Sequence, residues 1–237
     1  MIVHNSGAQG PLLLVCDHAG REIPRGLGDL GLEAADLRRH IAWDIGAAGL
    51  ARRLADLMGA ELTLQAYSRL VVDCNRDPSR PDVAPEVSDG SAIPGNVGLG
   101  EAALKARIEE IHTPYHAAIA AALDLKISAT TVVSVHSFTP QMQGFARPWH
   151  VGVLHQHDSP VSGRMLCALR SESDLVVGDN QPYAMDGIDY TIPRHALGRG
   201  LDYLELEVRQ DLIEDEQGQA RMAARLAPLI AASVGAP

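Results

Sequence analysis

The sequence predicts an α/β domain, and three observations carry that expectation. Apolar runs of strand length alternate along the chain with stretches of helical period, an order that gives interleaved layers of strand and helix. Two of those runs, Leu12-Leu13-Leu14-Val15-Cys16 and Thr131-Val132-Val133-Ser134-Val135, give way to Asp17-His18 and to His136-Ser137. With 237 residues, 46% of them hydrophobic, the chain is long enough to bury one full core across 1–237.

Taken in order, strand one is Leu12 to Cys16. A long helix is expected from about Glu33 to Met58, because Leu37, Ile41, Ile45, Ala48 and Leu54 recur near the 3.6-residue period, with Gly59 to close it. Glu61 to Gln65 and Leu70 to Asp73 read as short strands. Residues 77–100 are rich in Pro, Gly, Ser and Asp, and a loop of that length suggests a lid or specificity element. Helix returns from Glu101 to Leu125, with Pro114 expected to kink or restart it. The His136 strand follows, then a strand from Trp149 to Leu154 and a helix from Ser162 to Arg170. Short strands at Leu175 to Val177 and Tyr203 to Val208 precede a last helix from Gln217 to Ala232.

Composition excludes several function classes. A net charge of −10 argues against a nucleic-acid or anionic-membrane surface, which needs clustered Lys and Arg. It leaves room for a small anionic substrate, because a few arginines in a pocket can outweigh the global field. No stretch approaches the roughly 20 apolar residues that span a bilayer, and no secretory signal is visible at the N-terminus. Cys16, Cys74 and Cys167 are odd in number and widely spaced, which fits a reducing cytoplasm. The sequence leaves the oligomeric state undetermined.

Ligands of open α/β sheets bind beyond the carboxyl ends of the strands, where His18 and His136 are expected. Imidazole serves equally as metal ligand and general base, and it is also a common polar residue at the edge of a core. Asp44 lies beside the apolar stripe of the first long helix, so its carboxylate needs a partner. That partner is either Arg38 or Arg39 across the helix surface, or a metal, since a zinc hydrolase typically uses two histidines and a carboxylate. Alternation along Tyr203–Arg209 puts Glu205, Glu207 and Arg209 on one face. This face is either solvated at a sheet edge or turned to the crevice, with Glu207 as base and Arg209 beside it. Arg69, Arg76, Arg147 and Arg199 recur near the same turns, and their planar forks suit carboxylate recognition. Serine-hydrolase and nucleotide-binding chemistry are disfavoured, because no Gly-x-Ser-x-Gly elbow, Walker A loop or Gly-x-Gly-x-x-Gly motif occurs.

The segments CDHAGREIP (16–24), RHIAWDIGA (39–47), YSRLVVDCNR (67–76), IPGN (93–96), HTPYH (112–116), VHSFTP (135–140), RPWHVGVL (147–154), GDNQPY (178–183) and YTIPRHALGRGLDYLELEVRQDL (190–212) together resemble the N-formylglutamate amidohydrolase family. The resemblance implies a three-layer, phosphorylase/hydrolase-like fold, a mixed central sheet flanked by helices as in zinc carboxypeptidases. It implies hydrolysis of the amide of N-formyl-L-glutamate to formate and L-glutamate, a late step in histidine degradation. By the same resemblance His18, Asp44 and His136 would hold Zn2+ or another divalent metal, and Glu207 would act as base. Arg69 or Arg147 would stabilise the oxyanion, with Arg76, Arg199, Arg209 and Asn96 toward the substrate. In carboxypeptidases the carboxylate ligand follows the first histidine by three residues, a position held here by Arg21. Glu22, one residue further, therefore competes with Asp44. Two other readings stand beside this one: a related zinc amidohydrolase acting on another N-acyl amino acid or a peptidoglycan fragment, and a non-catalytic binding protein on the same fold.

Overall fold

The computed structural model describes residues 1–126, 130–156 and 159–235. Seven strands form one sheet: β1 (Ile2–His4), β2 (Leu12–Cys16), β3 (Glu61–Leu64), β4 (Thr131–Phe138), β5 (Val151–Leu154), β6 (Val177–Asp179) and β7 (Asp202–Arg209). Their order across the sheet is β1-β3-β2-β4-β7-β5-β6. The central strands β3, β2, β4 and β7 are parallel, while β1 runs antiparallel to β3 and β5 antiparallel to β7. The sheet is therefore mixed, with helices on its faces, as expected. Every residue of β2 and β4 is buried, the pattern of parallel strands covered on both sides.

Two apolar layers pack on the sheet. On one side Leu12, Leu14, Val133, Val135, Leu204 and Leu206 meet the helices α1 (Ala47–Met58), α4 (Pro160–Arg170) and α5 (Glu216–Val234). On the other, Leu13, Val15 and Val132 meet Tyr115, Ile119 and Leu123 of α3 (Thr113–Asp124), together with irregular segments around Leu30, Ile41, Val71 and Ile93. The helix expected over 101–125 is α2 (Glu101–Arg107), a wider π-type turn at Ile108–His112, and then α3. Pro114 sits in the first turn of α3, where its missing N–H disturbs the helix least.

Two expectations are corrected. The helix read over 33–58 begins only at Ala47; before it lie a short 3-10 turn at Asp36–Arg38 and irregular backbone. Ile41 and Leu37 pack on the α3 side of the sheet, whereas Leu50 and Leu54 pack on the α1 side. The periodic stripe thus merges two segments that bury against opposite faces, and the chain crosses the carboxyl edge of the sheet between them. Gly46 makes the turn with φ +82°, a conformation that favours glycine. The strand read at Leu70 to Asp73 is a buried turn. There Asn96 donates to Leu70 O and Arg107 to Val71 O, so side chains replace a ladder partner. The short strand expected at 175–177 lies at Val177–Asp179.

Residues 77–100 carry a two-stranded ribbon, Val87–Ser88 with Ser91–Ala92, between 3-10 turns at Pro81–Val83 and Pro94–Asn96. Asp82, Pro85, Ser88 and Asp89 from this segment form one wall of the cavity at the carboxyl edge of the sheet.

Candidate active site

Beyond the carboxyl ends of β2, β4 and β7 lies a cavity of about 580 Å³. His18 follows β2, His136 stands within β4, and Asp44 occupies the crossing before α1. One donor atom from each lies within 4.8 Å of the others, and all three residues are buried. The crossing is pinned to the sheet by Asp44 N, which donates to His18 O at 2.9 Å. Asp44 Oδ2 lies 2.9 Å from His136 Nδ1 and accepts from Ser137 N at 3.2 Å. Its Oδ1 lies 3.6 Å from His18 Nδ1.

Each imidazole turns its other nitrogen to a second carboxylate. His18 Nε2 is 2.7 Å from Asp73 Oδ1, and His136 Nε2 is 3.3 Å from Asp17 Oδ2. Asp73 is held by Arg69 at 2.8 Å and by Asn75 N at 2.9 Å, while Thr191 Oγ1 donates to Asp17 at 2.7 Å. Carboxylates on the outer nitrogens fix ring orientation and strengthen the inner nitrogens as donors to a cation. His18 Nδ1 and Glu207 Oε2 are buried with no hydrogen-bond partner among the described residues. The donor set of two imidazoles and a carboxylate, with buried atoms lacking partners, fits a divalent cation.

The electrostatics follow from burial and close pairing. Burial pushes the Asp17 carboxyl up, but His136, His18 and Thr191 outweigh it and hold the group at about 2. Burial opposes ionisation of Asp44 and Asp73 as well, and neighbouring His18, His136 and Arg69 drive both below the usual carboxylate range. Burial works against protonation of His136 and His18, yet the surrounding aspartates raise both. Glu207 stands opposite His136 in register and is 6% exposed. Its carboxyl is pushed up to about 8, chiefly by burial and partly by Asp44 and Asp189, against the pull of His136. Gly152 faces Glu207 from β5, and a side chain there would meet Gln181 O.

The other residues singled out from the sequence separate into three groups. Arg69 and Arg76 line the cavity. Arg147 stands one layer back, donating to Thr139 and to the Tyr183 hydroxyl, both of which line it. Arg199, Arg209 and Asn96 are not brought to the cavity wall. Arg199 pairs at the surface with Asp124, and Arg209 pairs with Asp211. Asn96 is buried between Leu70 O, Pro85 O and Arg107, where it supports the wall from behind. Glu22 is exposed and lies outside the His18–Asp44–His136 group.

Sequence reasoning missed Asp17, Asp73, Glu205 and Asp189. Asp17 and Asp73 lie within the segments 16–24 and 67–76, and a carboxylate closing an apolar run was the available signal. His112 and His116 brace the turn that carries Asp73 and Arg76. The ring N–H of His116 donates to Cys74 O and that of His112 to Arg76 O, each at 2.9 Å. Burial keeps both rings neutral by lowering their pKa values, that of His116 to about 3.

A mixed α/β sheet with buried imidazoles, paired carboxylates and an acid of raised pKa at its carboxyl edge has the make-up of an enzyme site. The family model of N-formylglutamate amidohydrolase matches residues 10–214, and the chain belongs to that family. Among solved structures it is similar to the gene product Atu2144 from Agrobacterium tumefaciens, with 39% identity and a TM-score of 0.95 over 98% of this chain and 94% of that one. It is also similar to the N-formylglutamate amidohydrolase from Ralstonia eutropha JMP134, with 19% identity and a TM-score of 0.68 over 97% and 94% of the two chains. No curated protein matches the sequence.

Proposed function

We propose that this protein is a metal-dependent amidohydrolase that cleaves the linear amide of an N-acyl amino acid, with His18, Asp44 and His136 as metal ligands. The observation that carries the reading is the convergence of two carboxylate-backed imidazoles and one carboxylate on a single buried point beside Glu207. Zinc suits such a donor set, although availability among divalent ions weighs as much as the ligands. When bound there, the ion supplies Lewis acidity, which polarises an acyl oxygen and acidifies water.

The chain's own residues supply the rest. Glu207 accepts the proton of the attacking water and delivers it to the departing amine, because it sits on the strand next to His136. Burial holds the Glu207 carboxyl up at about 8, and a cation held by His18, Asp44 and His136 would lower it. Arg69, anchored by Asp73, lies 3.7 Å from Asp44 and is suited to steady negative charge on the acyl oxygen. Arg76 is the cavity arginine left to meet a substrate carboxylate. Among the arginines, Arg147 has a supporting part, through Tyr183 and Thr139.

N-formyl-L-glutamate, the substrate that names the family, is the first to test. Its hydrolysis to formate and glutamate would give the protein a late step in histidine degradation, in a reducing cytoplasm consistent with three unpaired cysteines. A second reading, an amidohydrolase for a different N-acyl amino acid, is favoured by the charge of the cavity. Eight lining residues are carboxylic acids and two are arginines, and both arginines already face aspartates. The test is formate release from N-formyl amino acids by protein loaded with zinc and by protein stripped with a chelator. Metal-dependent turnover that is lost in His136→Ala supports the proposal. Equal turnover by stripped protein, or by the variant, overturns it.

A further inference from the structure

One registered row crosses the cavity end of the sheet: Gly178 of β6 stands opposite Gly152 of β5, Gly152 opposite Glu207 of β7, and Glu207 opposite His136 of β4. The two glycines leave room beside Glu207, and the chain that follows β6 fills it. A Cβ on Gly152 would lie 2.0 Å from Gln181 O and 3.5 Å from Glu207 Cβ, and one on Gly178 would lie 2.5 Å from Gln181 O. The turn is held from behind, because Asn180 N donates to Val153 O at 3.0 Å and Asn180 Oδ1 accepts from His155 N at 2.8 Å. Pro182 and Tyr183 therefore leave the sheet beside Glu207, and both line the cavity.

The Tyr183 hydroxyl accepts from Arg147 Nη1 at 3.0 Å, and the same nitrogen donates to Thr139 Oγ1 at 3.2 Å. The guanidinium carbon lies 4.8 Å from the centre of the Tyr183 ring and 5.9 Å from that of Phe138. Arg147 is 8% exposed, yet among the described residues it forms no ion pair, whereas Arg69 faces Asp73 and Arg76 faces Asp82. A buried guanidinium stays charged and calls for a counter-charge. The phenol that accepts from it keeps one O–H proton to give, and no described residue accepts that proton. Burial and Glu207 raise the pKa of Tyr183 against the pull of Arg147, so the proton stays in place at neutral pH.

We propose that Tyr183 is a substrate-binding residue whose hydroxyl donates to the α-carboxylate of the N-acyl amino acid, with Arg147 behind it as the positioning residue that supplies positive charge. The inference rests on the amidohydrolase reading and adds a specificity-determining group to it. The side of the site follows from its two ends. Arg69 stands by Asp44, at the end assigned to the acyl oxygen. Glu207, which protonates the departing amine, stands by the segment that carries Tyr183. The α-carboxylate shares its carbon with that amine, so the donor beside Glu207 is the one it meets. Arg76 is then left for a second carboxylate. An O–H donor aimed at an ionised carboxylate makes a charge-assisted bond, stronger than one to a neutral amide.

The test compares zinc-loaded wild type with Tyr183→Phe, which keeps the ring and loses the hydroxyl, on N-formyl-L-glutamate, its α-amide and its side-chain amide. The kcat/KM ratio of N-formyl-L-glutamate to the α-amide is expected to fall about tenfold in the variant, with the loss in KM. Arg147→Gln is expected to lower the same ratio in wild type and to lower it no further in Tyr183→Phe, because it acts through the hydroxyl. A ratio unmoved in Tyr183→Phe, a loss carried by kcat, or a fall confined to the ratio against the side-chain amide overturns the proposal. Independent losses in the two variants overturn the part given to Arg147. If wild type turns over none of the three compounds, the amidohydrolase reading fails, and calorimetric titration with L-glutamate and its α-amide decides Tyr183 alone. Glutamate binding that is tighter than that of the α-amide and weakens about tenfold in Tyr183→Phe upholds the contact; equal binding by the variant, or none by wild type, overturns it.

Discussion

Glu207 is pushed up to about 8 by burial while His136 pulls it down, and the balance gives it two measurable behaviours. Glu207→Gln keeps the volume and removes proton acceptance, so kcat is expected to fall by roughly 10²–10⁴-fold. Metal content by elemental analysis should stay at the wild-type level, and an undiminished kcat would remove Glu207 from the role of base. The second behaviour concerns stability. The unfolded carboxyl titrates near 4.5 and the folded, metal-free one near 8, so between these values the folded chain holds a proton that the unfolded chain has lost. Stability from this group therefore falls as pH rises through that window. Metal-free Glu207→Gln should gain stability over wild type at pH 8 and gain none at pH 4.5, as read from urea midpoints. Asp73 offers a different test, because it backs His18 without belonging to the His18–Asp44–His136 group. Asp73→Asn should weaken zinc affinity by about 10–100-fold, and competition with a chromophoric chelator measures it.

At the scale of the element, the short crossing before α1 decides whether a site exists at all. It brings Asp44 from the α3 side of the sheet over the ends of β2 and β4, and Gly46 at φ +82° packs against Ile213 O. Gly46→Ala adds a side chain where the backbone of Ile213 already lies, in a conformation that L residues avoid. We expect a loss of roughly 1–3 kcal/mol, read by denaturation, with weakened metal binding because Asp44 is two residues away. This crossing also explains what was legible in the sequence. His18 and His136 were readable because each follows or ends an apolar run that any parallel sheet buries on both faces. Asp44 was noticed for the wrong local reason, since two stripes packed on opposite faces happened to share one helical period. Glu207 was read from alternation alone, and β7 proved central, with Glu205 and Glu207 buried. Asp73 lay at the end of what looked like a strand. Its buried turn depends on Asn96 and Arg107, which are remote in sequence, so no local pattern could reveal it.

For the whole molecule, the buried charges make stability and metal uptake depend on pH in a defined direction. Asp17, held at about 2, and the depressed Asp44 and Asp73 contribute stability that is present above about pH 4 and is lost as pH falls through their folded values. His18 and His136, raised above 6.5, contribute stability that is fully present below that value and is lost as pH rises through their folded values. With Glu207 adding to the loss on the alkaline side, metal-free protein should be most stable in mildly acid solution. Metal uptake must displace the protons that the two imidazoles hold, so affinity for zinc should tighten as pH rises from 6 to 8. The stabilisation on adding zinc should therefore be larger at pH 8 than at pH 6. At a free concentration of 100 times Kd it amounts to about 2.7 kcal/mol, or roughly 5–11 °C in Tm for a chain of this length. Differential scanning calorimetry of stripped and zinc-loaded protein at both pH values measures it. An equal shift at the two pH values would mean that no imidazole proton is released, and His18 and His136 would then lose their assignment as ligands.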